Sequence, residues 1–291
     1  MRVLLPEMDV RDWWASGDPA DIEVAIVWKP PAGGLRQFPN LRCIVSIGAG
    51  IDHVLADSQL PTHVPIIRTT STALTERMRE YVVLHVLRIH RSLAAIEAAQ
   101  KTREWLQVIS PPASERRVGI MGLGNLGADC ALALKAVGFD VAGWSRTAKE
   151  FDGIRCFCGD SARAAFLETT EILVNLLPLT PETEGILSAE LFHQLPTGAA
   201  VINCARGQHL VEADLLDALD RGRISAATLD VFHTEPLPPD HPFWDHPDVL
   251  VTPHVASLVD PVAGGKTIAA NLRAFLAGET VADLADRSQG Y

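Results

Sequence analysis

No apolar run in this 291-residue chain approaches the roughly 20 residues needed to cross a bilayer. Basic residues are scarce beside acidic ones, 25 Lys+Arg against 36 Asp+Glu, and they form no stripe. That balance argues against duplex nucleic acid and anionic membrane as partners. A local basic pocket for one small anion stays open, because local charge can oppose the global sign. Cysteine is sparse as well. Five residues, an odd number in a long chain, describe no disulfide framework and fit reduced thiols in a cytoplasmic protein. The pair in "CFC", Cys156 and Cys158, lacks a second pair at zinc-finger spacing. The apolar patch in "MRVLLPEMDV" is too short for a signal peptide and is interrupted by Pro6 and Glu7. Internal repeats and low-complexity segments are lacking, and the Pro-rich "EPLPPDHPFWDHPD" is a loop too short to join domains.

What the chain does have is a series of short runs rich in Val and Ile, separated by helical stretches. "MRVLLP", "DIEVAIVW", "LRCIVSIGAG" and "VPIIRTT" predict four buried strands of an open parallel sheet. "RVGIMG", "DVAGW", "EILVNLL", "AAVINCA", "AATLDVF" and "DVLVTP" predict six more after residue 115. Alternation of this kind implies βαβ units in two lobes, an α/β architecture of doubly wound parallel sheets. Between the two groups, "ERMREYVVLHVLRIHRSLAAIEAAQKTREW" lacks Gly and Pro and predicts one long bridging helix. Near the end, Ile268, Leu272, Phe275 and Leu276 share one helical face, and Gly278 is suited to stop that helix. A helix there can return to the first lobe.

"GIMGLGNLG" carries glycines at 122, 124 and 127, between a predicted strand and a predicted helix. Gly122 permits a tight turn, Gly124 lets a pyrophosphate approach the backbone, and Gly127 lets helix and strand pack closely. Asn125 and Leu126 lie in the same turn, where free N–H groups and the helix dipole favour negative charge. The next strand then shows a telling absence. An NAD site ends that strand with a carboxylate for the ribose 2′-hydroxyl. "VAGWSRTAK" supplies Trp144, Ser145, Arg146 and Lys149, with no Asp or Glu. Ser145 can donate to a 2′-phosphate and Arg146 can pair with it or stack on the adenine. The reading is NADP(H), with NAD(H) bound less tightly.

Three strand ends of the second group carry "INCARGQHLVE", "LDVFHTEPLP" and "VTPHVAS". They bring Arg206, Glu235 and His254, the three residue types that reduction of a 2-keto acid needs. Arginine grips a carboxylate and polarises a carbonyl. Histidine gives a proton to the developing alkoxide. A carboxylate beside it fixes its orientation. "NLLPLTPETEG" predicts a loop beside the cofactor, with Leu177 and Pro178 near the nicotinamide ribose. Cys204 and Ala205, just before the arginine, are read as small cofactor-side residues, since no step of such a reaction uses a thiol. His233, His241, His246 and His254 with nearby Asp residues lack metal-ligand spacing, and a carbonyl polarised by Arg and His needs no metal.

In order and spacing, "GLGNLG", "NCARG", "LDVFHTEPLP" and "TPHVAS" resemble the D-2-hydroxyacid dehydrogenase family, over essentially the whole chain. The resemblance places Arg206, Glu235 and His254 on the family's catalytic positions and Asp230 near the nicotinamide carboxamide. It implies a Rossmann dinucleotide-binding domain (residues 86–259) and a flavodoxin-like substrate domain (residues 1–85 and 260–291), with the active site in the cleft. It further implies a homodimer. "WSR", "MREY" and the terminal "ADRSQGY" are similar to a branch that reduces glyoxylate and hydroxypyruvate with NADPH. By the same likeness, N–H groups of Gly50 and Ile51 in "SIGAGIDH" bind the substrate carboxylate. Trp28 then lines the substrate pocket and favours small acids, with a core tryptophan as the alternative. The N-terminal region is shorter than the resemblance leads one to expect, so the first lobe's substrate contacts are less defined. Two rivals remain: an NAD-dependent dehydrogenase of a bulkier acid, and a non-catalytic nucleotide-sensing protein of the same fold.

Overall fold

The structure, a computed structural model, describes residues 1–258, 260–281 and 283–287. The last four residues of "ADRSQGY" therefore lie outside the described residues. Contacts divide the chain into two compact units, Met1–Leu74 with Val259–Tyr291, and Thr75–Leu258. The boundary expected after residue 85 falls inside a helix, Thr72–His90. The division comes earlier because Met78, Tyr81, Val82 and Val86 of that helix pack into the core of the second unit.

The first unit holds a parallel sheet of β1 (Val24–Val27), β2 (Cys43–Ser46) and β3 (Ile66–Ile67), in the order β1-β2-β3. Successive strand residues point to opposite faces, and here both faces are covered. Ile44 joins Leu35, Phe38, Ile51 and Val54, the last from the short helix α1 (Asp52–Leu55). Cys43 and Val45 join Leu5, Ile268 and Leu272 on the other side. The strand expected in "MRVLLP" is a turn instead. The N–H groups of Leu4 and Leu5 both donate to the Met1 carbonyl, at 2.8 and 2.9 Å. Pro6 can offer no N–H to a strand partner, and Leu5 achieves full burial from the turn by packing on the last helix.

In the second unit seven parallel strands form one sheet: β4 (Arg117–Met121), β5 (Asp140–Ser145), β6 (Arg155–Cys158), β7 (Ile172–Asn175), β8 (Ala199–Asn203), β9 (Ile224–Leu229) and β10 (Val249–Val251). Their order is β10-β9-β8-β7-β4-β5-β6. The chain winds outward one way from β4 and the other way from β7, so the switch point lies between those two strands. Ligands of open α/β sheets bind beyond the strand carboxyl ends at that point. One face is covered by α2 (Thr72–His90) and by α4 (Asn125–Val137), through Cys130, Ala131 and Leu134. The other is covered by α5 (Arg163–Leu167), α6 (Ala189–Gln194) and α7 (Glu212–Asp220). A separate helix, α3 (Leu93–Thr102), follows α2.

Two expectations are corrected here. The single bridging helix is broken into α2 and α3 at Ser92, whose φ of 52° is left-handed. The Ser92 N–H donates to Ile89, three residues back, and the α-helical ladder closes there. Neither Gly nor Pro marks the break. The sheet also gains β6, which contains "CFC" and pairs with β5 at the sheet edge. Its four residues are only partly buried, so they show no apolar run to read. The last helix, α8 (Pro261–Leu276), is capped by Asp260, whose carboxylate accepts from Val262 and Ala263 N–H. Its Ile268 and Leu272 are buried in the first unit, and Gly278 follows with φ 75°. Among the described residues no helix is long and apolar enough to cross a membrane.

Candidate active site

The glycine turn joins β4 to α4 at the switch point. Gly122 has a φ of 102°, and its N–H donates to the Trp144 carbonyl at 2.8 Å. A methyl group on Gly127 would lie 1.8 Å from the Gly122 carbonyl oxygen, so helix and strand are packed too closely for any side chain. Gly124 is different. A methyl group there meets no other atom within 4 Å among the described residues, and Gly124 and Asn125 are exposed. The open space thus faces the first turn of a 13-residue helix, whose N–H groups and dipole suit a pyrophosphate. Leu126 lies half-buried beside it.

At the end of β5, the Trp144 side chain turns into the core. It is buried with Phe166 and Leu173, and its Nε1 donates to the Gly159 carbonyl at 2.9 Å. Strand alternation turns it into the core, so what it lends the turn is its backbone carbonyl. Ser145 Oγ donates to the Thr147 carbonyl at 2.8 Å, shaping the bend that follows the strand. Arg146 is exposed. Glu182, in the loop after β7, has its carboxyl held below the usual range, first by the Thr180 hydroxyl and its own N–H, and also by the Arg146 charge.

Beyond β7 and β8 the loops are tied together by buried amides. Asn175 Nδ2 donates to Asn203 Oδ1 at 3.0 Å, and both side chains are fully buried. Asn175 Oδ1 accepts the Leu177 N–H at 3.2 Å, and Asn203 Nδ2 donates to the Arg206 carbonyl at 3.0 Å. Leu177 is packed in the core, and the Pro178 carbonyl accepts from the Thr183 hydroxyl at 2.7 Å. Burial pushes the Cys204 thiol well above its ordinary pKa. It stays protonated, which disposes of a nucleophilic role. Arg206 Nη1 donates to the Ala205 carbonyl at 2.6 Å.

One strand over, β9 delivers Asp230, whose N–H donates to the Asn203 carbonyl at 3.0 Å. The Asp230 carboxylate shapes the segment that carries His254. Its Oδ1 accepts from the Thr252 hydroxyl at 2.6 Å and from Val255 N–H at 2.9 Å, and its Oδ2 accepts from Ala256 N–H at 2.9 Å. The Asp230 carbonyl accepts the His254 N–H at 2.9 Å. Burial raises the Asp230 pKa, and these hydrogen bonds oppose the rise. With three acceptor positions taken, Asp230 is first of all the clamp of this turn. The clamp is needed because His254 sits at φ 54°, a conformation costing a non-glycine residue about 1–3 kcal/mol. From this position His254 Nδ1 donates to Glu235 Oε2 at 3.0 Å, while Glu235 Oε1 accepts the Phe232 N–H at 3.2 Å.

Because Thr252 donates to Asp230, Tyr81 must be the donor in its 2.7 Å contact with the Thr252 hydroxyl. The aligned chain Tyr81–Thr252–Asp230 therefore runs from α2 to the histidine turn. Thr252→Val keeps the shape but leaves Tyr81 without this acceptor and Asp230 without this donor. It should lower stability by about 1–3 kcal/mol and lower kcat as His254 loosens. Melting curves and steady-state kinetics together check this, and an unchanged kcat refutes the clamp.

In the first unit, the turn after β2 is built around Ser46, whose hydroxyl lies 3.1 Å from the Gly48 carbonyl and 3.0 Å from that of Gly50. Neither the Gly50 nor the Ile51 N–H donates to a protein group among the described residues. Trp28 is not a core residue. It is 40 % exposed, its ring lies across Gly48, and it packs on His53 at a ring separation of 4.3 Å.

Of the other histidines, His233 Nε2 donates to the Leu210 carbonyl at 2.8 Å, and His241 and His246 face Glu212 and Asp220. The sequence reading missed Tyr81, Asn175, Asn203, His209 and Thr252. Each acts through hydrogen bonds between distant segments, and only the strand-end placement of the two asparagines hints at a role.

The model of the NAD binding domain of D-isomer specific 2-hydroxyacid dehydrogenases matches residues 83–256. The chain is 44 % identical over 292 residues to glyoxylate/hydroxypyruvate reductase A of Serratia proteamaculans (strain 568), covering 99 % of this chain and 93 % of that protein. A D-isomer specific 2-hydroxyacid dehydrogenase from Xanthobacter autotrophicus Py2, crystallised with NADPH and MES, is similar at a TM-score of 0.93 and 44 % identity, covering 100 % of this chain and 93 % of that one. An NADPH-dependent glyoxylate/hydroxypyruvate reductase from Sinorhizobium meliloti, crystallised with NADP and sulfate, is similar at a TM-score of 0.89 and 40 % identity, covering 95 % and 88 %.

Proposed function

The chain belongs to the D-isomer specific 2-hydroxyacid dehydrogenase family, and from that premise we propose that it reduces glyoxylate and hydroxypyruvate with NADPH. The observation that carries the reading is the His254–Glu235 pair, which follows β10 and β9 at the carboxyl ends of the sheet, with Arg206 after the neighbouring β8.

Arg206 binds the substrate carboxylate and polarises the keto oxygen. Glu235 engages Nδ1 of His254, so the proton given to the developing alkoxide leaves from Nε2. The carboxylate also stabilises the imidazolium from which that proton departs. Reduced nicotinamide, when bound, supplies the hydride. Gly122, Gly124, Asn125 and Gly127 seat the pyrophosphate, and the segment from Asn175 to Pro178, with Cys204 and Ala205, forms the nicotinamide side of the floor. Asp230 supports that side while clamping the histidine turn. In the first unit, Gly50 and Ile51 N–H groups are the donors for a carboxylate, and exposed Trp28 favours small acids. A cytoplasmic homodimer is part of the same proposal, supported by the resemblance alone.

NADPH is favoured over NADH because β5 ends in Ser145 and is followed by Arg146, with no carboxylate to repel a 2′-phosphate. Loss of NADPH absorbance with glyoxylate and with hydroxypyruvate tests the activity. Arg146→Ala should raise KM for NADPH at least about tenfold, the weight of one charged contact, and leave that for NADH within about twofold. Equal losses refute the 2′-phosphate role.

A further inference from the structure

His209 lies in the turn after β8 and is fully buried. Its two ring nitrogens face different loops. Nδ1 accepts the Arg206 N–H at 3.2 Å, and Nε2 lies 3.2 Å from the Pro178 carbonyl. A backbone N–H can only donate and a carbonyl can only accept. The ring is therefore neutral, with its proton on Nε2.

The consequence for Arg206 is that both of its backbone polar groups are held by buried side chains, the N–H by His209 and the carbonyl by Asn203. Asn203 is bonded to Asn175, which in turn holds the Leu177 N–H beside Pro178. The imidazole closes a hydrogen-bonded circuit from the β7 loop through the β8 loop and back. A tie between two loops made by one rigid ring transmits position better than two separate contacts, since the ring fixes the distance between its nitrogens.

We propose that His209 is a positioning residue for the reaction, a single-tautomer imidazole that sets the arginine-bearing turn and the Pro178 loop in register. Nδ1 places the turn that grips substrate, and Nε2 places the loop beside the cofactor. The inference rests on the reading above, in which Arg206 holds the substrate and the Pro178 loop lies against the cofactor.

Two conservative variants separate the halves of the tie. Asparagine reaches as far as Nδ1 and no further, so His209→Asn keeps the Arg206 bond and loses the Pro178 bond. Glutamine reaches the position of Nε2, so His209→Gln keeps the Pro178 bond and loses the other. His209→Asn should raise Kd for NADPH about fivefold or more, with keto-acid kcat/KM within about twofold. His209→Gln should lower keto-acid kcat/KM about tenfold, with Kd for NADPH within about twofold. Changes of the same kind in both variants, or none in either, overturn the proposal. Nitrogen NMR of His209 in the wild-type enzyme gives a readout independent of the variants' folding. A protonated Nε2 with a bare Nδ1 supports the tie, and the opposite tautomer overturns it. Arg206→Met distinguishes the parent reading. Unchanged keto-acid kinetics there sink the arginine's role, whereas a large loss there with indistinguishable His209 variants sinks only the tie.

Discussion

His254→Ala should lower kcat by at least about 100-fold, the usual worth of a positioned general acid. KM for NADPH should hold within a few-fold, because in the proposed mechanism the side chain that is lost acts on the proton and not on the nucleotide. The alkoxide formed during reduction is a strong base, and without an acid at hand it must be protonated by solvent. Removing the imidazole also leaves the Glu235 carboxylate without the N–H it accepts from at 3.0 Å. The backbone clamp is unaffected, since the bonds to Asp230 come from N–H groups that alanine retains. Left-handed backbone suits alanine no better than histidine, so the fold should persist and the loss is chemical. Turnover near that of the wild type would remove His254 from the mechanism.

Gly127→Ala is expected to abolish NADPH binding and to destabilise the second unit. Its methyl group would fall 1.8 Å from the Gly122 carbonyl oxygen, a backbone atom that cannot swing aside. Either α4 is pushed away from β4 or the turn is pulled out of shape, and both disrupt the same surface. Overpacking of a core costs about 1–3 kcal/mol, and contact with fixed backbone at this distance places the variant at or beyond the upper end. Gly124→Ala provides the contrast. Its methyl group meets no other atom within 4 Å among the described residues, so melting should match the wild type while NADPH affinity falls. If both variants melt normally and bind equally, the assignment of open and closed faces in this turn is wrong.

How much was readable in advance depended on whether a residue acts locally. The glycine turn, β4 and α4 are contiguous, and their spacing carries the geometry. Glu235 and His254 could be paired only by chemistry, since 18 residues separate them; their 3.0 Å contact comes from the clamp at Asp230. Missed elements were of two kinds. β6 is a half-exposed edge strand, whose pairing with β5 supplies what its own residues lack. The first turn of the chain buries Leu5 as thoroughly as a strand would, so its apolar run indicated burial and not conformation. That the Trp144 side chain turns into the core was not legible, because position along a strand end does not say which face a side chain takes. The buried amides, Thr252 and His209 have partners far away in the sequence, and no local pattern announces them.

The interleaving of Leu5, Cys43 and Val45 with Ile268 and Leu272 has a consequence for biosynthesis. Residues 75–258 leave the ribosome as one uninterrupted block that contains every strand of its own sheet. The other unit has its sheet early but waits for α8, emerging more than 190 residues after β3, before one flank of that sheet is shielded. Each aliphatic side chain so covered contributes about 1.5–3 kcal/mol. Vectorial synthesis therefore completes residues 75–258 before α8 emerges to seal the sheet of β1, β2 and β3.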